Sequence, residues 1–289
     1  MTVVRAPAEL EPAERAVAVG TFDGVHRGHR RVIDALRETG LRSTVLTFDP
    51  HPRLVLGYDV QLLTPLERRL ELLEEAGPDE ILVVEFTQEL SLREPEEFVA
   101  DYLTAIGARV VVAGENFRFG AGRRGDVDLL RRCGLDVRAV PLLAGVSSSR
   151  IRELVTGGDL RAAADLLGRP FEVEGVVVAG DQRGGTLGFP TANLAPEPHM
   201  LIPAFGIYVG EALGTRAAVS IGVNPHYGGN ERRIEAFLLD FEGDLYGERV
   251  RLELWEKLRD ERAFASEEDL VAQIADDVAA ARAATRPGA

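Results

Sequence analysis

The chain has 289 residues, of which 33 are lysine or arginine and 47 are aspartate or glutamate, giving a formal net charge of −14. This length suffices for two domains with their own cores, and so acidic a chain lacks the basic surface that nonspecific binding to nucleic acid or anionic lipid requires. The single cysteine, Cys133, cannot form an internal disulfide, so we expect its thiol to be free and partly buried. No apolar run approaches the roughly 18 residues of a membrane span. We therefore expect a soluble cytoplasmic protein.

Up to about residue 168, short apolar strands alternate with amphipathic helices, a pattern typical of a parallel sheet with both faces covered. The strands are predicted at residues 16–20, 43–48, 80–86, 109–113 and 136–140. A helix is predicted to begin at Thr64, because an N-cap threonine, a proline at the first helical position and a capping-box glutamate stand in series. Its buried stripe is Leu66, Leu70 and Leu73, and the Gly-Pro pair at 77–78 ends it.

Beyond residue 168 the pattern changes to strands of period two with glycine-rich turns between them. They are predicted at residues 171–178, 206–209, 217–220, 234–239 and 250–254. Close spacing of short strands favours an antiparallel barrel or sandwich. A last helix, capped by Ser266, presents Leu270, Ile274 and Val278 on one face. We therefore expect two domains, residues 1–168 and 169–289.

Residues 20–29 follow the first strand and carry two histidines three positions apart. A helix that begins near His26 places His26 and His29 on one face of its first turn. The backbone N–H groups there have no intrahelical partner and lie at the positive end of the helix dipole. Such a site suits a polyphosphate, and a pair of surface histidines is the alternative. A zinc site is disfavoured, because the chain has no cysteine cluster of zinc spacing.

Two further loops follow the second and fourth strands, at the carboxyl edge where doubly wound sheets bind ligands. Residues 47–52 contain two prolines, which make a rigid loop suited to the wall of a site for a flat ring. Residues 114–120 place Asn116 between aromatic side chains, so that an amide can hydrogen-bond the edge of a ring while a phenyl group packs on its face. An ordinary stiff turn and core packing are the respective alternatives.

Residues 147–152 open a helix with three successive serines, Ser147, Ser148 and Ser149. Their hydroxyls and the first N–H groups are placed to face an anion. Arg152 lies one turn further on, and its guanidinium can bind two phosphate oxygens at once. A capped surface helix is the alternative.

Within residues 187–193, Pro190 interrupts a strand of the second half of the chain. Thr191 and Asn193 then lie on the same face of that strand. A hydroxyl and an amide oxygen together can hold an oxygen-preferring cation such as Mg²⁺, although a bulged edge strand explains the pattern equally well. The preceding residues 180–185 form a candidate glycine-rich nucleotide loop. Glu235, flanked by apolar residues, is either a functional carboxylate or the exposed half of an alternating strand.

Taken together, these motifs resemble the prokaryotic bifunctional riboflavin kinase/FAD synthetase family, and residues 26–29 resemble the H-x-G-H signature of the nucleotidyltransferase superfamily. The resemblance covers nearly the whole chain in the right order. It implies an α/β Rossmann-like nucleotidyltransferase domain with a parallel sheet, followed by an antiparallel β-barrel domain with a C-terminal helix. It also implies that the second domain phosphorylates riboflavin to FMN, and that the first adenylylates FMN to FAD with release of pyrophosphate.

The resemblance further implies roles for individual residues, with ATP and flavins as substrates and Mg²⁺ as cofactor. In the first domain it implies that ATP is bound by Gly20, Phe22, Asp23, His26, His29, Ser147, Ser148, Ser149 and Arg152, with His26, His29 and Arg152 catalytic. It implies that the flavin is bound by Pro50, His51, Pro52, Asn116 and Phe119. In the second domain it implies that Mg²⁺-ATP is bound by Gly180, Arg183, Gly188, Pro190, Thr191 and Asn193, with Thr191 and Asn193 on the metal and Glu235 as general base.

Three positions depart from the family pattern. Ala179, Gly185 and His226 stand where the family commonly has histidine, arginine and threonine, which predicts weaker nucleotide binding by the kinase. Two other functions stay open: an FAD synthetase whose kinase domain has decayed, and a flavin-binding regulatory protein. In each case the expected partners are small molecules rather than nucleic acids or membranes.

Overall fold

The computed structural model describes residues 1–179, 191–223 and 232–288. The chain forms two compact units, residues 1–60 with 66–147, and residues 61–65 with 148–289. Residues 148–167 thus cluster with the second unit, although the sequence patterns assign them to the first. The division predicted at residue 168 stays a prediction.

The first unit is built on a six-stranded sheet in the order β1-β4-β3-β2-β5-β6, in which every neighbouring pair is parallel. Its strands are β1 (Thr2–Val4), β2 (Arg15–Val19), β3 (Arg42–Asp49), β4 (Glu80–Glu85), β5 (Ala108–Gly114) and β6 (Asp136–Val140). The predicted parallel sheet is confirmed. The edge strand β1 was not predicted, because three residues are too few to show a periodic pattern.

Helices connect these strands. They are α1 (Arg27–Arg37), α2 (Pro52–Val55), α3 (Leu66–Glu75), α4 (Gln88–Ser91), α5 (Pro95–Phe98) and α6 (Val127–Arg132), with a π-helical turn at Val99–Thr104. Helix α3 begins at Leu66, two residues after the predicted start at Thr64. Cys133 is exposed where α6 ends, so its predicted partial burial is wrong.

Alternate residues of the strands enter two separate cores, one on each face of the sheet. Val17 and Val19 of β2 belong to the core that also contains Phe98. Ala16 and Ala18 belong to the other, which packs against Ile33 of α1. Both faces of the sheet are therefore covered, as its continuous apolar strands require.

The central strand β2 marks the point where the order of the sheet reverses. β3 and β4 lie on one side of it, and β5 and β6 lie on the other. In open α/β sheets ligands bind outside the carboxyl ends of the strands at such a point. The loops that follow β2, β3 and β5 all leave from that edge.

The second unit contains a closed antiparallel barrel in the order β10-β11-β8-β7-β12-β9. Its strands are β7 (Phe171–Val178), β8 (Ala192–Pro196), β9 (Gly206–Ala212), β10 (Thr215–Val223), β11 (Arg232–Leu238) and β12 (Arg249–Arg259). Its helices are α7 (Ser148–Gly157), α8 (Leu160–Leu167) and α9 (Glu267–Ala283). The predicted barrel with a C-terminal helix is confirmed. No helix in the described ranges is both long and apolar enough to cross a membrane.

Apolar side chains fill the barrel, so it has a packed core rather than a lumen. Val173, Val219 and Leu252 are fully buried there, and Ile151 of α7 and Leu167 of α8 join the same core. Alternate residues of the strands face outward. Ligand cavities are consequently expected on the outer face of this barrel.

Helix α9 packs against part of that outer face. Trp255 of β12 and Ala281 of α9 are fully buried in a separate small core between them. The Arg259 guanidinium forms a bidentate pair with Asp277 of α9, at 3.0 Å from Nε to Oδ1 and 2.6 Å from Nη2 to Oδ2. The helix is thereby fixed against the end of β12.

Candidate active sites

The turn after β2 has a strained backbone. Phe22, Gly24 and Val25 have φ angles of 50°, 85° and 38°, and the Val25 N–H donates to the Phe22 carbonyl at 3.0 Å. Positive φ is rare for a β-branched residue and costs about 1–3 kcal/mol. Such strain persists only where the surroundings hold it, and Phe22, Asp23 and Val25 are all buried. Strained turns of this kind concentrate at ligand sites.

His26 is the N-cap of α1, which begins at Arg27, one residue after the predicted start. Its Nδ1 accepts a hydrogen bond from the His29 backbone N–H at 3.3 Å. A neutral imidazole that accepts at Nδ1 carries its proton on Nε2. The cap therefore leaves the Nε2–H of His26 as a donor, next to the first N–H groups of the helix.

His29 lies directly on His26. The ring centroids are 3.6 Å apart with planes inclined by 14°. The Phe22 ring packs against His29 in a T-shaped arrangement, with 5.2 Å between the ring centroids. Burial lowers the pKa of the His29 imidazole well below its ordinary value, and the neighbouring His26 lowers it further. Within the described residues, Nδ1 of His29 is buried without a hydrogen-bond partner. At neutral pH His29 is thus an uncharged hydrogen-bonding group.

The loop after β3 contains a cis peptide bond between Asp49 and Pro50. Pro50 is exposed, whereas His51 is buried and its Nδ1 accepts from the Arg53 backbone N–H at 3.2 Å. His51 therefore caps the short helix α2, which begins at Pro52. Pro50 is therefore exposed on a loop whose backbone is held by the hydrogen bond between His51 and Arg53.

The loop after β5 presents the two predicted flavin contacts differently. Asn116 is exposed, but Phe119 is 8% exposed and belongs to the core. Phe119 packs against Phe98 at 5.7 Å between ring centroids and stacks on Phe117 at 5.4 Å. The role of Phe119 in flavin binding stays a prediction, and Phe117 is the less buried ring of the pair.

One buried charged residue of this unit is not singled out by any sequence motif. Arg69 of α3 is 2% exposed and donates from Nη1 to the Thr21 carbonyl at 3.1 Å and from Nη2 to the Phe48 carbonyl at 2.9 Å. A signal for it exists in the helix pattern. Arg69 follows Leu66 by three residues and precedes Leu73 by four, so a charged residue occupies the apolar stripe.

The serine run lies where a helix begins, as predicted. Ser147 precedes α7, and Ser148 and Ser149 occupy its first turn. Arg152 donates from Nε to the Gln61 carbonyl at 2.7 Å. The contribution of these residues to nucleotide binding stays a prediction.

In the barrel, three polar side chains form a row across neighbouring strands. Glu235 of β11 is directly opposite Asn193 of β8 on one side and Ser220 of β10 on the other. Directly opposite residues share a face and have Cβ atoms about 4.5–5.5 Å apart. Their strand neighbours Ala236 and Val219 are buried in the core, so the row faces outward.

Two members of this row, Glu235 and Ser220, line a cavity of about 330 Å³. One wall is apolar and is formed by Ile207, Phe237, Phe264, Leu270 and Ile274. Glu235 lines the same cavity and accepts from Arg233 Nη1 at 2.8 Å. Glu235 is therefore on the outward half of an alternating strand and lines a cavity, and its role as a functional carboxylate stays a prediction.

A second carboxyl group, which no predicted role includes, lines that cavity. Ser220 Oγ donates to Oε1 of Glu261 at 3.5 Å. Burial raises the pKa of Glu261, and the charge of Glu235 raises it further. No motif marks Glu261 in the sequence, because a single carboxylate after a strand has no characteristic spacing.

A smaller cavity of about 170 Å³ shares Thr191 with the larger one. It is lined by Val177, Phe241, Leu245 and Tyr246. The two cavities thus meet at the predicted metal-binding residue. The predicted ATP-binding residues Gly180, Arg183, Gly188 and Pro190 lie outside the described residues, as do Gly185 and His226.

Comparisons with known proteins cover both units. The family model described as FAD synthetase matches residues 8–162, and the model described as riboflavin kinase matches residues 167–285. A curated bifunctional riboflavin kinase/FMN adenylyltransferase of Escherichia coli (strain K12) is 36% identical over 94% of this chain and 93% of its own length. One of the same description from Listeria monocytogenes is 37% identical over 93% of this chain and 92% of its own.

A solved structure described as a macrolide-efflux protein from Streptococcus pneumoniae has the same fold throughout. Its TM-score is 0.89 at 30% sequence identity, and the match covers 98% of this chain and 99% of that chain. The family models and curated relatives agree in naming both activities. The chain therefore belongs to the family of bifunctional riboflavin kinase/FMN adenylyltransferases.

Proposed function

We propose that this chain phosphorylates riboflavin to FMN in the second unit and adenylylates FMN to FAD in the first. The observation that carries the proposal is that each unit holds its own candidate site. The first has a histidine pair at a helix N-terminus. The second has a carboxylate in a largely apolar cavity.

For adenylyl transfer, an FMN phosphate oxygen bonds to the α-phosphorus of ATP while the bond to pyrophosphate breaks. This displacement needs no covalent enzyme intermediate, so alignment and charge stabilisation carry the catalysis. His26 and His29 would donate hydrogen bonds to the phosphoryl oxygens. The loops of residues 47–52 and 114–120 would hold the flavin.

For the kinase, we assign the larger cavity to riboflavin and the smaller one to the ATP nucleoside. Glu235 would accept the proton of the ribityl hydroxyl as its oxygen bonds to the γ-phosphorus and the bond to ADP breaks. Thr191, which lines both cavities, lies where the γ-phosphoryl group would pass from ATP to riboflavin. The apolar wall suits the flavin ring.

Thr191 and Asn193 fit a magnesium ion by their chemistry. A hydroxyl and an amide oxygen are the ligands that Mg²⁺ accepts beside substrate phosphates. Among the described residues no group of three or more histidine, cysteine, aspartate or glutamate side chains could hold a metal, so the phosphates would complete the coordination. Bound there, the ion would neutralise charge on the transferred phosphoryl group.

The composition supports a cytoplasmic location. It also supports partners that are small molecules rather than nucleic acids or membranes. A net charge of −14 disfavours nucleic acid and anionic lipid surfaces, and a single cysteine suits a reducing compartment.

Incubation of the purified protein with riboflavin, Mg²⁺ and ATP tests the proposal. Chromatographic separation of the flavins should reveal FMN first and FAD later, with one ADP per FMN formed and one pyrophosphate per FAD. FAD from supplied FMN without any FMN from riboflavin would instead identify a dedicated FAD synthetase. Stoichiometric flavin binding without ATP consumption would identify a regulatory protein.

A further inference from the structure

Arg69 joins the two loops that carry the strained histidine turn and the cis-proline segment. Its guanidinium reaches the Thr21 carbonyl, at the start of the turn, and the Phe48 carbonyl, at the end of β3. We propose that Arg69 is the positioning residue that holds the ATP-side and flavin-side loops of the adenylyltransferase site in register. This inference rests on the proposed function of the first unit.

The chemical type of the residue fits this role. Arginine presents its donors in a rigid planar fork, which can bridge two acceptors in a fixed geometry, whereas lysine is a single point charge. The two acceptors belong to different segments, the turn after β2 and the end of β3, so the fork sets the distance between them. A lysine at this position would keep the charge but satisfy one loop at a time.

Charges from both loops surround the guanidinium. Asp23 and Asp49 favour its charged form against the burial that lowers its pKa, and Asp49 Oδ1 lies 4.0 Å from Nη2. Each of these aspartates follows a phenylalanine in its own loop, Phe22 and Phe48. The buried cation is therefore balanced only when both loops are in place.

A second, weaker contact, a hydroxyl hydrogen bond, connects the same loops. Thr47 Oγ1 of β3 donates to the Thr21 carbonyl at 3.2 Å, so this carbonyl accepts from both Thr47 and Arg69. Within the described residues, Nε of Arg69 is buried without a hydrogen-bond partner. Among the described residues, the hydrogen bonds of the Arg69 guanidinium are thus those to the carbonyls of Thr21 and Phe48.

Arg15 provides a matched control. It is 1% exposed, lies at the amino end of β2 and donates to the Ile106 carbonyl and to Glu80 at 2.7 Å each. Arg15 and Arg69 are thus comparably buried arginines of one unit, but only Arg69 lies at the carboxyl edge of the sheet. A merely structural arginine should behave like Arg15.

The experiment compares Arg69→Lys with Arg15→Lys in the full-length chain, at a temperature where circular dichroism finds both folded. For FAD formation from FMN, Arg69→Lys should raise KM for ATP and for FMN together and lower kcat/KM roughly 10- to 100-fold, as expected for misplaced reactants. Arg15→Lys should leave both KM values within about two-fold, although it also destabilises the unit. FMN formation from riboflavin should be unchanged in both.

Equal effects of the two variants on KM would overturn the inference, and so would an effect of Arg69→Lys on kcat alone. If Arg69→Lys does not fold, Thr47→Val provides the test, because it removes only the hydrogen bond from Thr47 to the Thr21 carbonyl. A raised KM for ATP in this variant supports the inference, and an unchanged KM for ATP refutes it. Failure of the unaltered protein to form FAD would refute the proposed function itself and is seen before any variant is made.

Discussion

At the scale of residues, the histidine pair carries the adenylyltransferase proposal. His29→Ala removes one preorganised donor, and we expect FAD formation from FMN to fall on the order of 10²–10³-fold. FMN formation from riboflavin should stay within a few-fold of the unaltered protein. His199→Ala, which removes an exposed histidine, is the control and should change neither rate. Equal loss of both activities in His29→Ala would contradict the assignment.

The lowered pKa of His29 also predicts how stability depends on pH. Between the folded pKa and the ordinary value of about 6.5, the unfolded state binds one more proton than the folded state. Stability should therefore fall as the pH drops below about 6.5, with a slope of at most ~1.4 kcal/mol per pH unit from this residue. Thermal unfolding of His29→Asn from pH 5 to 8 should have a shallower acid slope than that of the unaltered protein. An unchanged slope would mean that His29 ionises normally.

The sequence predicts some of these residues and not others for a physical reason. His26 and His29 lie three residues apart on a helix, so local geometry alone brings them together. Arg69 and Thr21 lie 48 residues apart, and only the packing of α3 against the sheet makes them neighbours. The same holds for Ser220 and Glu261, which are 41 residues apart.

At the scale of elements, α9 forms one wall of the larger cavity and Asp277 fixes it to Arg259 of β12. Asp277→Asn removes the ionic half of this pair, and hydrogen bonds to charged groups contribute about 1.5–3 kcal/mol. We expect KM for riboflavin to rise roughly 10-fold, at about 1.4 kcal/mol per tenfold step. FAD formation from FMN should not change.

Asp276→Asn is the matched control, because its side chain is adjacent in sequence but exposed. It should leave KM for riboflavin unchanged. A riboflavin KM that is the same in both variants and in the unaltered protein would show that the position of α9 does not govern flavin binding.

Most elements follow from local patterns. Alternating or continuous apolar runs give the strands of both units, and the cap at Ser266 gives the start of α9, where its hydroxyl accepts from the Asp269 N–H at 3.1 Å. The strand pattern does not predict closure of the second sheet, because the alternation is the same in a barrel and a sandwich; only the family resemblance implies the barrel. The placement of α7 and α8 also depends on apolar contacts with the barrel core, which no local pattern contains.

At the scale of the whole molecule, that shared core predicts how the chain can be divided. A cut at residue 168 separates Ile151, Val155, Leu160 and Leu167 from the barrel residues that bury them. We therefore expect a fragment of residues 169–289 to melt at least about 5 °C below a fragment of residues 148–289, since 1 kcal/mol corresponds to about 4–8 °C in a domain of this size. Trp255, the only tryptophan, reports unfolding of both fragments by fluorescence. Equal melting temperatures would place the boundary near residue 168, as the sequence patterns do.

The central claim is that two independent sites on one chain are joined by released FMN. Its most direct test mixes His29→Ala with Glu235→Gln and supplies riboflavin, Mg²⁺ and ATP. Alone, His29→Ala should accumulate FMN. Alone, Glu235→Gln should leave riboflavin unconverted, because its kinase activity is lowered roughly 10²–10⁴-fold. Glu235→Gln should still convert supplied FMN to FAD. The mixture should form FAD from riboflavin, because FMN made by the first variant is adenylylated by the second. A mixture that forms no more FAD than either variant alone would contradict the account.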